Sequence, residues 1–432
     1  MTPKILVVGS GAREHALVHA LHGSPEHPTL YAAPGNPGME DESTRVPIGV
    51  AEIGHLVAWA ERERPDLVVA GPEAPLTLGL ADALAQASVP VVGPVRAAAS
   101  LESSKSFAKR FLQELDLPTA PFRLAHSAGE AKRLLAGSTY PVVIKADGLA
   151  AGKGVVIAER EPEAIATLEA WMERGELGEA GRTVILEECL RGEEASLLVL
   201  TDGERWMLFP PARDHKRAYD GDQGPNTGGM GACAPARLPL PDDALAIAHR
   251  IVDPLLQSLR ERRTPYRGIL YIGLMLTRSG PMVLEFNARF GDPEAQAVLP
   301  LLEEDLYPLF LAAARGSLPP DRHGAFVRHA GAAVTVVLAS EGYPGTPKVG
   351  RVIEGLRAPR PHGITIDYAG VERRGTQYVT SGGRVLGVTA RSETLERARE
   401  AAYGAVSGIR FEGMHYRKDI AATPLESGSV TP

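Results

Sequence analysis

Four times within its first hundred residues the chain runs a short apolar segment into a glycine-bearing turn, with helical spacing between one segment and the next. ILVV (5–8) leads to Gly9-Ser10-Gly11, LYA (30–32) to Gly35-Asn36-Pro37-Gly38, LVV (67–69) to Gly71-Pro72-Glu73, and VV (91–92) to Gly93-Pro94. Helices are expected over 14–21, 53–62 and 76–87. Strands that alternate with helices form a parallel sheet covered on both faces. Ligands of such sheets bind beyond the carboxyl ends of the strands, so all four turns are expected to line one crevice. The first turn, GSGARE, is not a dinucleotide fingerprint: Glu14 stands where a third glycine belongs, and no acidic residue closes the second strand. What survives is a site for a single phosphate at a helix N-terminus, near Gly9, Gly11 and Arg13.

At 432 residues the chain exceeds one ordinary core, and about three domains are expected. Its 44% hydrophobic and 23% charged content is that of a soluble globular protein. The net charge of −7 is spread through the sequence, which leaves no footprint for nucleic acid. Cys189 and Cys233 lack metal or redox spacing and read as buried thiols. The N-terminus enters a strand without a signal-type apolar region, and no apolar run is long enough to cross a bilayer, so a cytoplasmic protein without a membrane partner is expected.

A second constraint lies at 141–157, PVVIKADGLAAGKGVVI. Two apolar β-branched runs bracket a loop of small residues, with Lys145 at its start and Lys153 at its tip. Glycine lets backbone N–H groups approach an anion and lysine adds a point charge, so the hairpin suits nucleotide phosphates. It is not a Walker A loop, because Gly148 and Gly152-Lys153 are separated by three residues instead of four and Gly154 replaces Ser or Thr. Upstream, SSKSFAKRF (103–111) reads as a capped helix with Lys105 in its first turn, where the helix dipole disfavours a cation. Strands at 122–124 and 183–187 and helices at 128–135 and 162–174 complete a small α/β lobe able to act as a lid. The extended link after 187 exposes backbone groups suited to an adenine edge, and Glu194 shares a strand face with Ser196.

Residues 213–231, RDHKRAYDGDQGPNTGGMG, combine charge and glycine with almost no aliphatic side chains. A long loop of this kind is expected to bind something, with Asp214, Lys216 and Arg217 as ligand-facing charges and Asn226, Thr227, Gly228 and Gly229 as hydrogen-bonding partners. Strands at 269–277 and 282–287 flank the hairpin signal RSGP. On the second, Glu285 and Asn287 are two apart and present oxygens from one face, a pair suited to magnesium, which takes its remaining ligands from phosphates and water. Arg289 extends that face with a positive charge. After about 326 the pattern is that of an α+β domain forming packing and substrate-wall structure.

GAREHAL (11–17), GPEAPL (71–76), KADGLAAGKGV (145–155), DHKR with GPNTGGMGA (214–232) and EFNARFGDPE (285–294) together resemble the phosphoribosylamine-glycine ligase family of the ATP-grasp superfamily. The resemblance implies an α/β and α+β multidomain protein: a Rossmann-like domain over 1–101, a central ATP-grasp domain over 102–120 and 190–325, its lid over 121–189, a C-terminal domain over 326–421 and a tail over 422–432. It further implies ATP with Mg2+ or Mn2+, the substrates glycine and 5-phosphoribosylamine, and a monomer or weak dimer. By the same resemblance Lys105 and Lys145 hold the α/β phosphates, and Gly152, Lys153 and Gly154 close over the γ-phosphate. Glu187, the backbone of Glu188 and Leu190, and Glu194 hold adenosine. Glu285 and Asn287 ligate the metal, and Arg289 with Lys145 carries the catalytic charge. The sugar phosphate falls to Gly9, Gly11, Arg13, Glu14, Gly71 and Glu73, and glycine to the 214–229 loop with Asp292. Ala12 and Cys189 depart from the family pattern; the former is expected to tighten the phosphate turn slightly and the latter to be neutral, because backbone atoms make the adenine contacts. Another ATP-grasp carboxylate–amine ligase, or a carboxylase, is the alternative the motifs leave open.

Overall fold

The computed structural model describes residues 2–150, 154–236, 238 and 243–422. Gly152, Lys153 and the tail from 423 lie outside the described residues. The first hundred residues form a five-stranded parallel sheet ordered Thr44–Arg45, Thr29–Pro34, Lys4–Gly9, Leu67–Ala70, Val91–Val92. Alternation sends Ile5 and Val7 into one core and Leu6 and Val8 into another, which is why this run is apolar at every position. The helix read at 76–87 is two, Glu73–Thr77 and Leu80–Gln86, because Gly79 between them takes φ +90° and leaves room for the Arg96 guanidinium. A further helix, Arg96–Ser103, was not legible in the sequence; it presents Ala98, Ala99 and Leu101 to the core.

Helix Lys105–Glu114 follows, with Ser104 as its cap accepting the Phe107 N–H. The lobe expected to act as a lid is a four-stranded antiparallel sheet ordered Phe122–Ala125, Val184–Glu188, Val142–Ala146, Val155–Ala158. Helices Ala128–Leu135 and Glu161–Leu168 cover it, giving a separate small core of Ile144, Leu135, Leu168, Trp171 and Leu186. The central sheet runs Gly280–Asn287, Gly268–Thr277, Glu193–Thr201, Trp206–Leu208, Ala325–Phe326, with only the last pair parallel. Its register sets Gly273 opposite Glu285 and Tyr271 opposite Asn287.

The stretch 213–231 differs from the structureless loop that its composition suggests. Arg213–Asp214 pairs with Gly231–Ala234, and Arg217–Tyr219 with Gln223–Asn226. Gly231–Ala234 is hydrogen-bonded in turn to Ala332–Ala339, so these residues extend the C-terminal sheet of Ala332–Ala339, Arg384–Ser392 and Ile364–Tyr368. Ala212, just before this stretch, exchanges backbone hydrogen bonds with Ser196, which fastens its start to the central sheet as well. Among the described residues no helix is long and apolar enough to cross a membrane.

Candidate active site

A cleft of about 500 Å3 opens where the lid, the central sheet and the terminal sheets converge. That is the size class of a small-molecule site. Lys145 enters from the lid strand Val142–Ala146; it is buried, donates to the Leu284 carbonyl at 3.1 Å and pairs with Glu187 at 2.9 Å. The hairpin lysine therefore reaches the strand that carries Glu285. Lys105, at the first position of its helix, donates to the Gly148 carbonyl at 3.1 Å. The helix start is held by Asp147, whose carboxylate accepts the Ser106 N–H at 2.6 Å and the hydroxyls of Ser104 and Ser106. This anion offsets the dipole that Lys105 opposes.

Glu285 and Asn287 both line the cleft. Burial would raise the Glu285 pKa, but Lys216, Lys145 and Lys105 hold it below the usual carboxylate value. Lys216 sits 3.5 Å from Glu285 and 3.2 Å from Glu194, and these carboxylates raise its pKa against burial. One ionised carboxylate and one amide oxygen are the hard donors that magnesium or manganese accepts when phosphates complete the shell, so the pair fits a divalent ion. Arg289 also lines the cleft, gripped by Glu102 at 2.9 Å, Glu73 at 3.4 Å and the Phe290 carbonyl at 3.1 Å. Gly154 and Arg13 complete this part of the wall.

Opposite lie Asp214, Thr227, Gly228, Asp292 and two residues of the C-terminal segment, Tyr343 and Arg384. Arg384 pairs with the Asp292 carboxylate at 2.8 Å and donates to the Gly228 and Asp292 carbonyls, while the Tyr343 hydroxyl accepts the Gly228 N–H at 2.8 Å. Asp214 is half-buried, with its Oδ1 closed off from solvent and without a hydrogen-bond partner. Burial and Glu294 push its pKa well above the usual carboxylate value.

Several of the expected site residues have partners within the chain. At Gly9, Gly11 and Gly71, where a phosphate is expected, a Cβ would meet the Glu14 side chain, within 2.3 Å at Gly9 and Gly71. Glu14, third in helix Ala12–His22, accepts the Gly11 N–H at 2.6 Å and the Arg13 Nε–H at 2.7 Å, so the protein's own carboxylate fills the anion site at this helix start. Glu187, expected among the residues that hold adenosine, lines the cleft with its carboxylate between Lys145 and Lys109, the latter at 3.0 Å. Glu188 donates its N–H to the Pro121 carbonyl, and neither it nor Leu190 lines the cleft. Glu194 acts on Lys216. Arg217 and Asn226 face each other across the outer hairpin, where Arg217 donates to the Gly224 carbonyl. The Thr227 hydroxyl donates to the Lys216 carbonyl and accepts the Gly229 N–H, and Gly229, at φ +105°, admits Pro293 and Asp214 where a Cβ would clash.

Sequence reading missed Lys109, Glu102, Tyr343 and Arg384. Lys109 is buried and donates to Thr119 at 2.6 Å; burial pulls its pKa down to about 8 against the pull of Glu187. A lysine on the apolar face of helix Lys105–Glu114, one turn after Lys105, was the available signal.

Residues 3–102, 103–295 and 333–423 match in succession the N domain, the ATP-grasp (A) domain and the C domain of phosphoribosylglycinamide synthetase. The chain is 46% identical over 425 residues to the phosphoribosylamine–glycine ligase of Caulobacter vibrioides, covering 98% of each chain. The crystal structure of phosphoribosylamine–glycine ligase from Thermotoga maritima superposes with a TM-score of 0.83 at 34% identity, over 96% of this chain and 100% of that one. A biotin carboxylase domain from Hydrogenobacter thermophilus shares the fold, with a TM-score of 0.75 at 17% identity over 96% and 91% of the two chains. Three successive domain matches and end-to-end identity of this order place the chain in the phosphoribosylglycinamide synthetase family.

Proposed function

We propose that the cleft ligates glycine to 5-phosphoribosylamine at the expense of ATP, giving glycinamide ribonucleotide, ADP and phosphate. The observation that carries this reading is the meeting of Lys145 with the Glu285 strand: a phosphate-type cation and a metal-type oxygen pair share one cavity. A carboxylate is a poor electrophile. One oxygen of glycine therefore attacks the γ-phosphorus as the bond to ADP breaks, giving glycyl phosphate. The amine of phosphoribosylamine then attacks the acyl carbon, phosphate departs with the C–O electrons, and the nitrogen loses a proton.

The attacking carboxylate and ATP are both anionic, so the protein's work is positioning and charge neutralisation. Lys105 and Lys145 fit the α/β phosphates. Glu285 and Asn287 would hold Mg2+ or Mn2+, which when bound screens the phosphate charge. Arg289, fixed by two carboxylates, faces the charge that builds on the transferring phosphoryl group. The unpartnered Asp214 oxygen suits the ammonium of glycine, since an incoming cation both ionises and satisfies it. Arg384 and the Gly228 backbone form the neighbouring wall.

The test is ATP turnover in the presence of each substrate separately and together. Turnover requiring both glycine and phosphoribosylamine is expected; turnover driven by bicarbonate would give the cleft to carboxylase chemistry. Glu285→Gln is expected to raise the metal concentration for half-maximal rate by at least ~10-fold. Lys216 keeps Glu194 in that variant, so the fold is spared. An unaltered metal titration would move the ion elsewhere.

A further inference from the structure

Helix Asp243–Glu261 buries Ala248, Ile251, Val252, Leu255 and Leu256 in the core and turns His249 and Asp253, one helical turn apart, outward. Against them stands His323, just before Gly324. One ligand atom from each of His249, Asp253 and His323 lies within 4.8 Å of the others. None of the three lines the catalytic cleft. We propose that this triad is a second metal site, for Zn2+ or a neighbouring late first-row divalent ion, that clamps the helix to the turn entering strand Ala325–Phe326.

Four observations converge. The carboxylate is already oriented: the indole N–H of fully buried Trp206 donates to Asp253 Oδ1 at 2.6 Å, the outer-shell support typical of a ligating carboxylate. His249 Nδ1 lies 2.9 Å from Asp253 Oδ2 and His323 Nε2 lies 3.8 Å from Asp253 Oδ1, so each imidazole already addresses the same carboxylate. Three atoms spaced at most 4.8 Å apart leave a point about 2.8 Å or less from each, and modest rotations close that to the ~2.0–2.2 Å of zinc bonds. Finally, the turn is built for the approach. Gly324 has φ +70°, donates its N–H to the Trp206 carbonyl, and would place a Cβ 2.5 Å from the His249 ring.

Two imidazoles and one carboxylate select against magnesium, which demands oxygen, and favour zinc, copper or nickel over manganese. The cleft and the triad are thereby separated by ligand hardness. The side chains are partly exposed, at 45%, 42% and 38%, which leaves the remaining coordination position to water.

The experiment uses the untagged full chain in saturating Mg2+ without nucleotide. Co2+ is titrated while visible d–d bands are recorded, and Zn2+ is then measured in competition with a chromophoric chelator. One equivalent of Co2+ with four-coordinate bands, displaced by Zn2+, is expected. His323→Ala and His249→Ala are each expected to weaken Zn2+ binding at least about tenfold, with circular dichroism and ligase turnover in zinc-free buffer unchanged. Wild-type protein that holds no Zn2+ at micromolar free ion overturns the proposal. So does a His323→Ala variant that folds and binds Zn2+ as tightly as wild type.

Discussion

Arg289→Ala is expected to lower kcat by roughly 10³-fold while ATP affinity stays within a few-fold, because the guanidinium serves charge that appears mainly in the transition state. Its position is over-determined: Glu102 and Glu73 hold it on one side and the Phe290 carbonyl on another. Burial opposes its charge, yet those two carboxylates raise its pKa, so it stays charged at any working pH. Truncation leaves Glu102 without this partner. Burial already raises the Glu102 pKa, so that carboxyl takes a proton and the fold persists. Single-turnover ADP formation and equilibrium ATP binding, measured together, separate the cases. An unchanged rate removes Arg289 from the chemistry, and parallel losses of rate and affinity assign it to ground-state binding. Arg289→Lys should recover part of the rate, since it restores charge without the planar fork.

The second large effect is an acid weakness at the seam between the first and last sheets. His15, on helix Ala12–His22, is buried, and its Nδ1 accepts the Tyr368 N–H at 2.8 Å, from the last residue of strand Ile364–Tyr368. Burial lowers its pKa to about 4, with Glu42 opposing. Above pH 6.5 the ring is neutral in folded and unfolded chains alike, and nothing is lost. Below 6.5 the unfolded chain binds a proton that the folded chain refuses until about pH 4, so stability falls as pH descends through that window. The full loss is about 3 kcal/mol, of which about 2 is reached by pH 5. His215, lowered to about 4 by burial with Arg417 and Arg213 adding to it, contributes in the same direction. His15→Asn keeps an acceptor for Tyr368 and removes the titration. Urea unfolding of both proteins at pH 7 and pH 5 is expected to show the smaller acid loss in the variant. Equal losses would place the sensitivity at other groups.

What was legible in the sequence is what local rules govern. Apolar runs ending in glycine turns gave the first sheet, and two-residue alternation put Glu285 and Asn287 on one face because a strand leaves no other choice. The lid hairpin was visible from its lysines and small residues. What stayed hidden depends on approach across the chain. Glu102 matters because it accepts the Ala288 N–H and grips Arg289, and Arg384 because it meets Asp292 and Gly228. None of those pairings leaves a mark at short range. Glu14 is a different case, since a carboxylate at the third helical position after glycine is a local signal for a self-capped helix.

The shared segment 213–234 limits how this architecture can be recombined. Gly231–Ala234 completes the C-terminal sheet while Asp214 and Lys216, a few residues earlier, furnish the cleft. A chimera spliced near residue 330, with each half from a different homologue, would mate a sheet and a catalytic wall that had never been selected together. Exchangeable parts in this family should therefore be cut so that this ribbon travels with the terminal sheet and not with the ATP site.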